Sequence, residues 1–148
     1  MSVSASATTE TGDDWFRRTE GALYRLPQMR IQVRALATAL AYFYPSFTRP
    51  DNILSVGREG QQGDVTLAYV QRRAAVEERL QRLEASIAVL DAALSTLTPD
   101  EARLVDLKYT SQLVRDTICR EMGISRATYH RLREAAVVKV ARCLGYID

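Results

Sequence analysis

The sequence predicts an all-α fold, a long antiparallel helix pair followed by a cluster of shorter helices, and three observations predict it. Two stretches repeat apolar residues at alternating steps of three and four, which keeps those residues on one face of a helix that turns about every 3.6 residues. The last third carries a succession of helix start and stop signals. No segment alternates apolar and polar residues in period two for long enough to make a convincing strand.

Composition sets the frame. A chain of 148 residues that is 47% hydrophobic has the size of one ordinary domain or two very small ones and can bury a core without covalent staples. Its 20 basic and 18 acidic side chains are spread along the chain and leave a net charge of +2, so bulk charge alone points to neither nucleic acid nor membrane. Any basic footprint must be local. The two cysteines, Cys119 and Cys143, have no cysteine or histidine at zinc-site spacing. They read as reduced, small apolar residues, with no metal and no cofactor expected. The N-terminus lacks the positive flank and apolar run of a signal peptide, and no stretch is long enough to span a membrane. A soluble, cytoplasmic protein with no membrane partner is expected.

Residues 1–12 are small and polar without apolar periodicity and read as a disordered tail, because they cannot repay the entropy of ordering. Asp13 or Asp14 can cap a short helix through Tyr24, with Trp15, Thr19 and Leu23 on one side. Pro27 then fits the first turn of a second helix. The first stripe is Leu26, Met29, Val33, Leu36, Leu40 and Phe43, ending near Tyr44-Pro45. Residues 45–63 form a flexible, glycine- and proline-containing loop. A second long helix starts near Asp64 and carries Val76, Leu80, Leu83, Ile87, Leu90, Leu94 and Leu97. Stripes of matching length pack most simply as an antiparallel pair. Ala85, Ala88, Val89, Ala92 and Ala93 widen the second stripe, which leaves apolar surface for a second copy to cover. Residues 13–97 are thus expected to be a helical hairpin and oligomerisation region.

Residues 98–148 form the second expected domain. Thr98-Pro99-Asp100-Glu101 combines a threonine cap, a first-turn proline and a glutamate three positions after the cap. Leu104, Val105 and Leu107 supply the apolar side of the helix that follows. Another helix is expected from about Leu113 to Met122; Gly123 breaks it, and Ser125 caps a last helix to about Leu144. Two helices meeting steeply across a short turn need a glycine to free the backbone, an apolar plug and a small residue at the crossing. Gly123, Ile124 and Cys119 fill those roles. Tyr129, Leu132, Ala136 and Val140 then face inward, leaving Ala127, His130, Arg131 and Glu134 turned outward. From Gly123 to Cys143 five basic residues, Arg126, Arg131, Arg133, Lys139 and Arg142, stand against the single acid Glu134. This is a local basic footprint on a helix-turn-helix.

Leu97 to Val105, followed by Ile118-Cys119, Gly123-Ile124-Ser125 and Thr128, resembles the DNA-binding region four of sigma factors. The order of elements over nearly the whole chain after residue 12 resembles the ArpU/RinA-type phage transcriptional regulators. That resemblance implies a regulator of phage or prophage late genes acting in a bacterial host cell on double-stranded DNA, with host RNA polymerase as a second expected partner. Tyr129 departs from the valine usual in the sigma pattern, and Glu134 would oppose phosphate at the far end of the contact face.

The expected DNA-binding residues are Arg115, Ser125, Arg126, Thr128, His130, Arg131 and Arg133. Ser125, Arg126 and Thr128 anchor the helix N-terminus, Arg131 contacts a base, and Arg115 meets phosphate. His130, the only histidine, reads as a neutral surface residue. Gly57, Gly60 and Gly63 do not match a nucleotide-binding spacing, and no Ser/His/acid set stands in a plausible context, so no enzyme is expected. The chain is expected to work as a homo-oligomer, a dimer being favoured. The alternative function is a small-terminase-like component that holds the packaging site of a phage genome.

Overall fold

The computed structural model describes residues 13–44 and 62–148, without the side chains of residues 62–65. The expected tail at 1–12 and nearly all of the expected loop, with Gly57 and Gly60, lie outside the described residues. Helix α1 spans Asp14–Tyr42, α2 Gln62–Leu94, α3 Pro99–Val105, α4 Arg115–Met122 and α5 Arg126–Cys143. A π-helical turn, Asp106–Thr110, continues α3. The fold is all-α, without strands among the described residues, and the long helices α1 and α2 pack together.

Two helices were expected before Tyr44, and one is found. Pro27 lies inside α1 and does not open a new helix. A proline in a helix interior costs about 3 kcal/mol through its missing donor and its clash with the preceding turn. Burial of Leu23 and Leu26 in the turn just before it, at about 1.5–3 kcal/mol each, is comparable in size to that cost.

The chain divides into two compact units, Gln28–Ile87 and the remainder, so the expected boundary at 97/98 falls inside a unit. In Gln28–Ile87 the stripes are recognisable: Met29, Val33, Leu36 and Leu40 on α1, and Val76, Leu80, Leu83 and Ile87 on α2, are all half-buried. The Tyr44 and Tyr69 rings meet at 5.7 Å, joining the end of α1 to the start of α2 as an antiparallel pair requires. Phe43, expected to close the first stripe, is 75% exposed. It directly follows the last residue of α1, its amide still bonded to the Ala39 carbonyl at 2.8 Å. Among the residues of this unit whose side chains are described, none is buried.

The other unit holds the core. Thr19, Ala22, Leu23 and Leu26 of α1 are buried, as are Leu90 and Ala93 of α2 and Ala136, Val137, Val140 and Ala141 of α5. The first half of α1 therefore belongs with the C-terminal helices, because its buried face is completed there. Thr98 caps α3 with a full capping box: its hydroxyl accepts the Glu101 amide at 3.3 Å, and Glu101 Oε2 accepts the Thr98 amide at 3.1 Å. The π-helical turn was not foreseen. Its wider ring, closed by the Ser111 amide on the Asp106 carbonyl at 3.0 Å, contains Tyr109, which is buried. Helix α4 begins at Arg115, two residues later than expected, after an exposed Val114.

Candidate nucleic-acid interface

The turn between α4 and α5 has the geometry that its residues dictate. Gly123 closes α4 in the left-handed region, at φ +65° and ψ +38°, where a Cβ would be strained. Its amide bonds to the Arg120 carbonyl at 3.3 Å and the Ile124 amide to the Cys119 carbonyl at 3.0 Å, the paired closure of a Schellman motif. Ile124 packs against the cluster of Leu104, Ile118 and Tyr129, together with Leu107, Leu113, Cys119, Met122 and Leu132. Tyr129 is thus a core residue shared by both helices of the turn. Cys119 is half-buried at the crossing, with Sγ 3.9 Å from the Ser125 carbonyl oxygen. Ser125 caps α5: its Oγ accepts the Thr128 amide at 3.2 Å and donates to Thr128 Oγ1 at 3.0 Å.

This cap leaves one side of the first two turns of α5 open. Ser125, Arg126, Ala127, His130, Arg131 and Glu134 are exposed, and Thr128 is half-buried. The Tyr129 ring meets His130 edge-on at 5.2 Å, so His130 stands on a fixed support. Arg115 and Arg126 come together around one carboxylate: Asp116 Oδ1 lies 3.5 Å from Arg115 Nε and 3.4 Å from Arg126 Nη2. All three side chains are well exposed, so these pairs are weak and readily exchanged for another anion.

Two of the five cations in the expected footprint are engaged inside the protein. Arg133, expected at DNA, is held by Glu20: its Nε and Nη2 both lie 2.8 Å from Glu20 Oε1. The Phe16 ring lies 5.1 Å from the guanidinium carbon, and the Tyr109 hydroxyl donates to the same Glu20 oxygen at 2.7 Å. Burial lowers the pKa of Arg133, but Glu20 and then Tyr109 together raise it above its ordinary value. Burial first and Glu20 second raise the Tyr109 phenol well above its ordinary value. Lys139 pairs with Glu101, its Nζ 2.8 Å from Oε2 and 3.0 Å from Oε1. A cation at the border of a helical face takes the carboxylate that tertiary packing offers. Arg142 is exposed and bonds the Asp148 carbonyl at 3.3 Å, and Arg126 and Arg131 remain on the open side.

Sequence reasoning missed Glu20, Phe16 and Asp116. The signal for Glu20 was a carboxylate beside Thr19 and Leu23, on a face expected to be covered, which demands a cation without naming one. At the edge of the open side, Asp13, Trp15, Phe16, His130, Arg133 and Glu134 line a shallow cleft. Among the described residues no group of histidine, cysteine and carboxylate side chains could hold a metal ion. No described helix is long and apolar enough to cross a membrane.

No curated protein and no solved structure matches the chain. Residues 47–141 match the family described as "Protein of unknown function (DUF1492)", and the chain belongs to that family.

Proposed function

We propose that this protein is a sequence-specific, double-stranded-DNA-binding regulator of phage or prophage transcription that reads the major groove with the first two turns of α5. The observation that carries the reading is the conjunction at 123–134: a Schellman turn, a serine-capped helix, and an open side bearing Arg126, His130 and Arg131. A helix is about 10–12 Å across with its side chains, and the major groove of B-DNA is about 12 Å wide. The exposed amide end of α5 suits a backbone phosphate, and an arginine on the open side suits a guanine edge. The resemblance to sigma region four and to the ArpU/RinA-type regulators supplies the late-gene role and host RNA polymerase as a partner.

The protein acts in this reading as a homodimer in the cytoplasm of the bacterial host. The absence of any buried residue among those of Gln28–Ile87 whose side chains are described supports self-association through the long helices, since two helices alone cannot close a core. The test is selection of binding sites from a random duplex pool with the full-length protein, followed by footprinting in the host and sedimentation of the complex. Enrichment of one motif, occupied by a dimer upstream of a late promoter, is the expected result. A ring of many copies on a packaging site would favour the terminase-like function, and a pool that stays random at every salt concentration would sink the DNA-binding reading.

A further inference from the structure

Arg126, His130, Arg133 and Val137 form one row along α5, at steps of four, three and four. The first two are exposed, the third is half-buried and the fourth fully buried. The open row therefore ends at Arg133, and what ends it is Glu20. The carboxylate grips the guanidinium at two nitrogens, the Tyr109 hydroxyl fixes that carboxylate, and Phe16 flanks the guanidinium. The side chains of Glu20 and Arg133 are only 15% and 28% exposed, so water competes weakly for the pair.

Resting on the DNA-binding reading, we infer that Glu20 is a specificity-determining positioning residue, which withholds Arg133 from the duplex and fixes α5 at the end of its reading row. An arginine free at that place would add a phosphate contact, an attraction blind to sequence that raises affinity for every duplex. Pairing it inside the protein leaves His130 and Arg131 to act where base edges lie, and anchors the helix against rolling in the groove. Glu20 does this through Arg133 and touches no nucleic acid itself.

The experiment measures full-length protein on a duplex enriched from a random pool and on its scrambled counterpart, across a salt series at neutral pH. In Glu20→Gln, binding to the scrambled duplex should rise about threefold and the salt slope should steepen by about one, while the preference for the enriched duplex falls roughly tenfold. In Arg133→Gln, the carboxylate is left without its partner beside the phosphates, and binding to the scrambled duplex should fall. The double variant Glu20→Gln/Arg133→Gln should return the scrambled affinity and slope to the parental values. Opposite signs for the two single variants are something a loss of stability cannot produce. Tyr109→Phe removes one bond to Glu20 while leaving the ion pair, and should lower the melting temperature with the parental preference kept; a loss of preference equal to that of Glu20→Gln would overturn the inference. If Glu20→Gln does not fold, Arg133→Lys is read instead: its single ammonium loses the two-point grip, and an unchanged salt slope would overturn the inference. A parent that binds no duplex refutes the DNA-binding reading, whereas a parent that enriches a motif while Glu20→Gln behaves identically refutes only the role of Glu20.

Discussion

The Lys139 ammonium lies 2.8 Å from Glu101 Oε2, the same oxygen that accepts the Thr98 amide at 3.1 Å. One carboxylate thus closes the capping box of α3 and ties that helix to α5. Glu101 is nearly buried, with 7% of its side chain exposed against 36% for Lys139, so removing the cation strands a charge that water reaches poorly. Lys139→Met should cost about 1–3 kcal/mol in urea unfolding, reduced from the fully buried case by the exposure of the lysine. A midpoint equal to that of the parent would show that the pair contributes nothing and that the cap alone holds Glu101.

Cys119 sits where α4 and α5 cross, its sulfur against the Ser125 carbonyl and its stem on the Leu104, Ile118 and Tyr129 cluster. Cys119→Ala should fold and bind like the parent. Cys119→Leu inserts volume at the crossing and should cost about 1–3 kcal/mol, read as a lower melting temperature. A leucine variant with parental melting would mean that the two helices do not meet closely at this residue.

The native state holds the Tyr109 proton more tightly than the unfolded chain does, because burial and the Glu20 carboxylate disfavour the phenolate while Arg133 opposes them only in part. A raised pKa gives stability that is complete below the ordinary value of 10.0 and is lost as pH climbs above it. Lys108 is shifted upward as well: burial lowers its pKa, but hydrogen bonds and charge interactions with Tyr24 and Tyr129 together raise it, so it contributes in the same direction. Melting temperature should therefore decline from about pH 10 upward. Tyr109→Phe should begin lower and decline less steeply; parallel curves for the two proteins would exclude Tyr109 as a source of the alkaline loss.

On the proposed DNA-binding reading, Arg131 and Arg115 test base reading against phosphate attraction. Arg131 is exposed on the open side of α5, whereas Arg115 stands at the start of α4 beside Asp116. Arg131→Ala should cost about 1–3 kcal/mol on the enriched duplex with little loss on a scrambled one. Arg115→Ala should weaken both alike and reduce the salt slope by about one. Equal losses on the two duplexes for Arg131→Ala would reassign that residue to the backbone.

The sequence by itself determined the features whose causes lie within a few residues. The box joining Thr98 and Glu101, the Gly123 turn with its Ser125 cap, the outward set Ala127, His130, Arg131 and Glu134, and the stripes from Met29 to Leu40 and from Val76 to Ile87 all stand where they were read. Each depends on a local donor, a backbone angle or the period of the helix, and these act before any distant contact forms. Only the tertiary structure decided that α1 runs through Pro27, that Tyr109 is buried within a π-helical turn, and that Arg133 and Lys139 turn inward. A long cation at the border of a helical face can reach water or a carboxylate at similar local cost. For Arg133 and Lys139 the deciding carboxylates lie 113 and 38 positions away, beyond the reach of any periodicity, and packing alone brings them within hydrogen-bond distance.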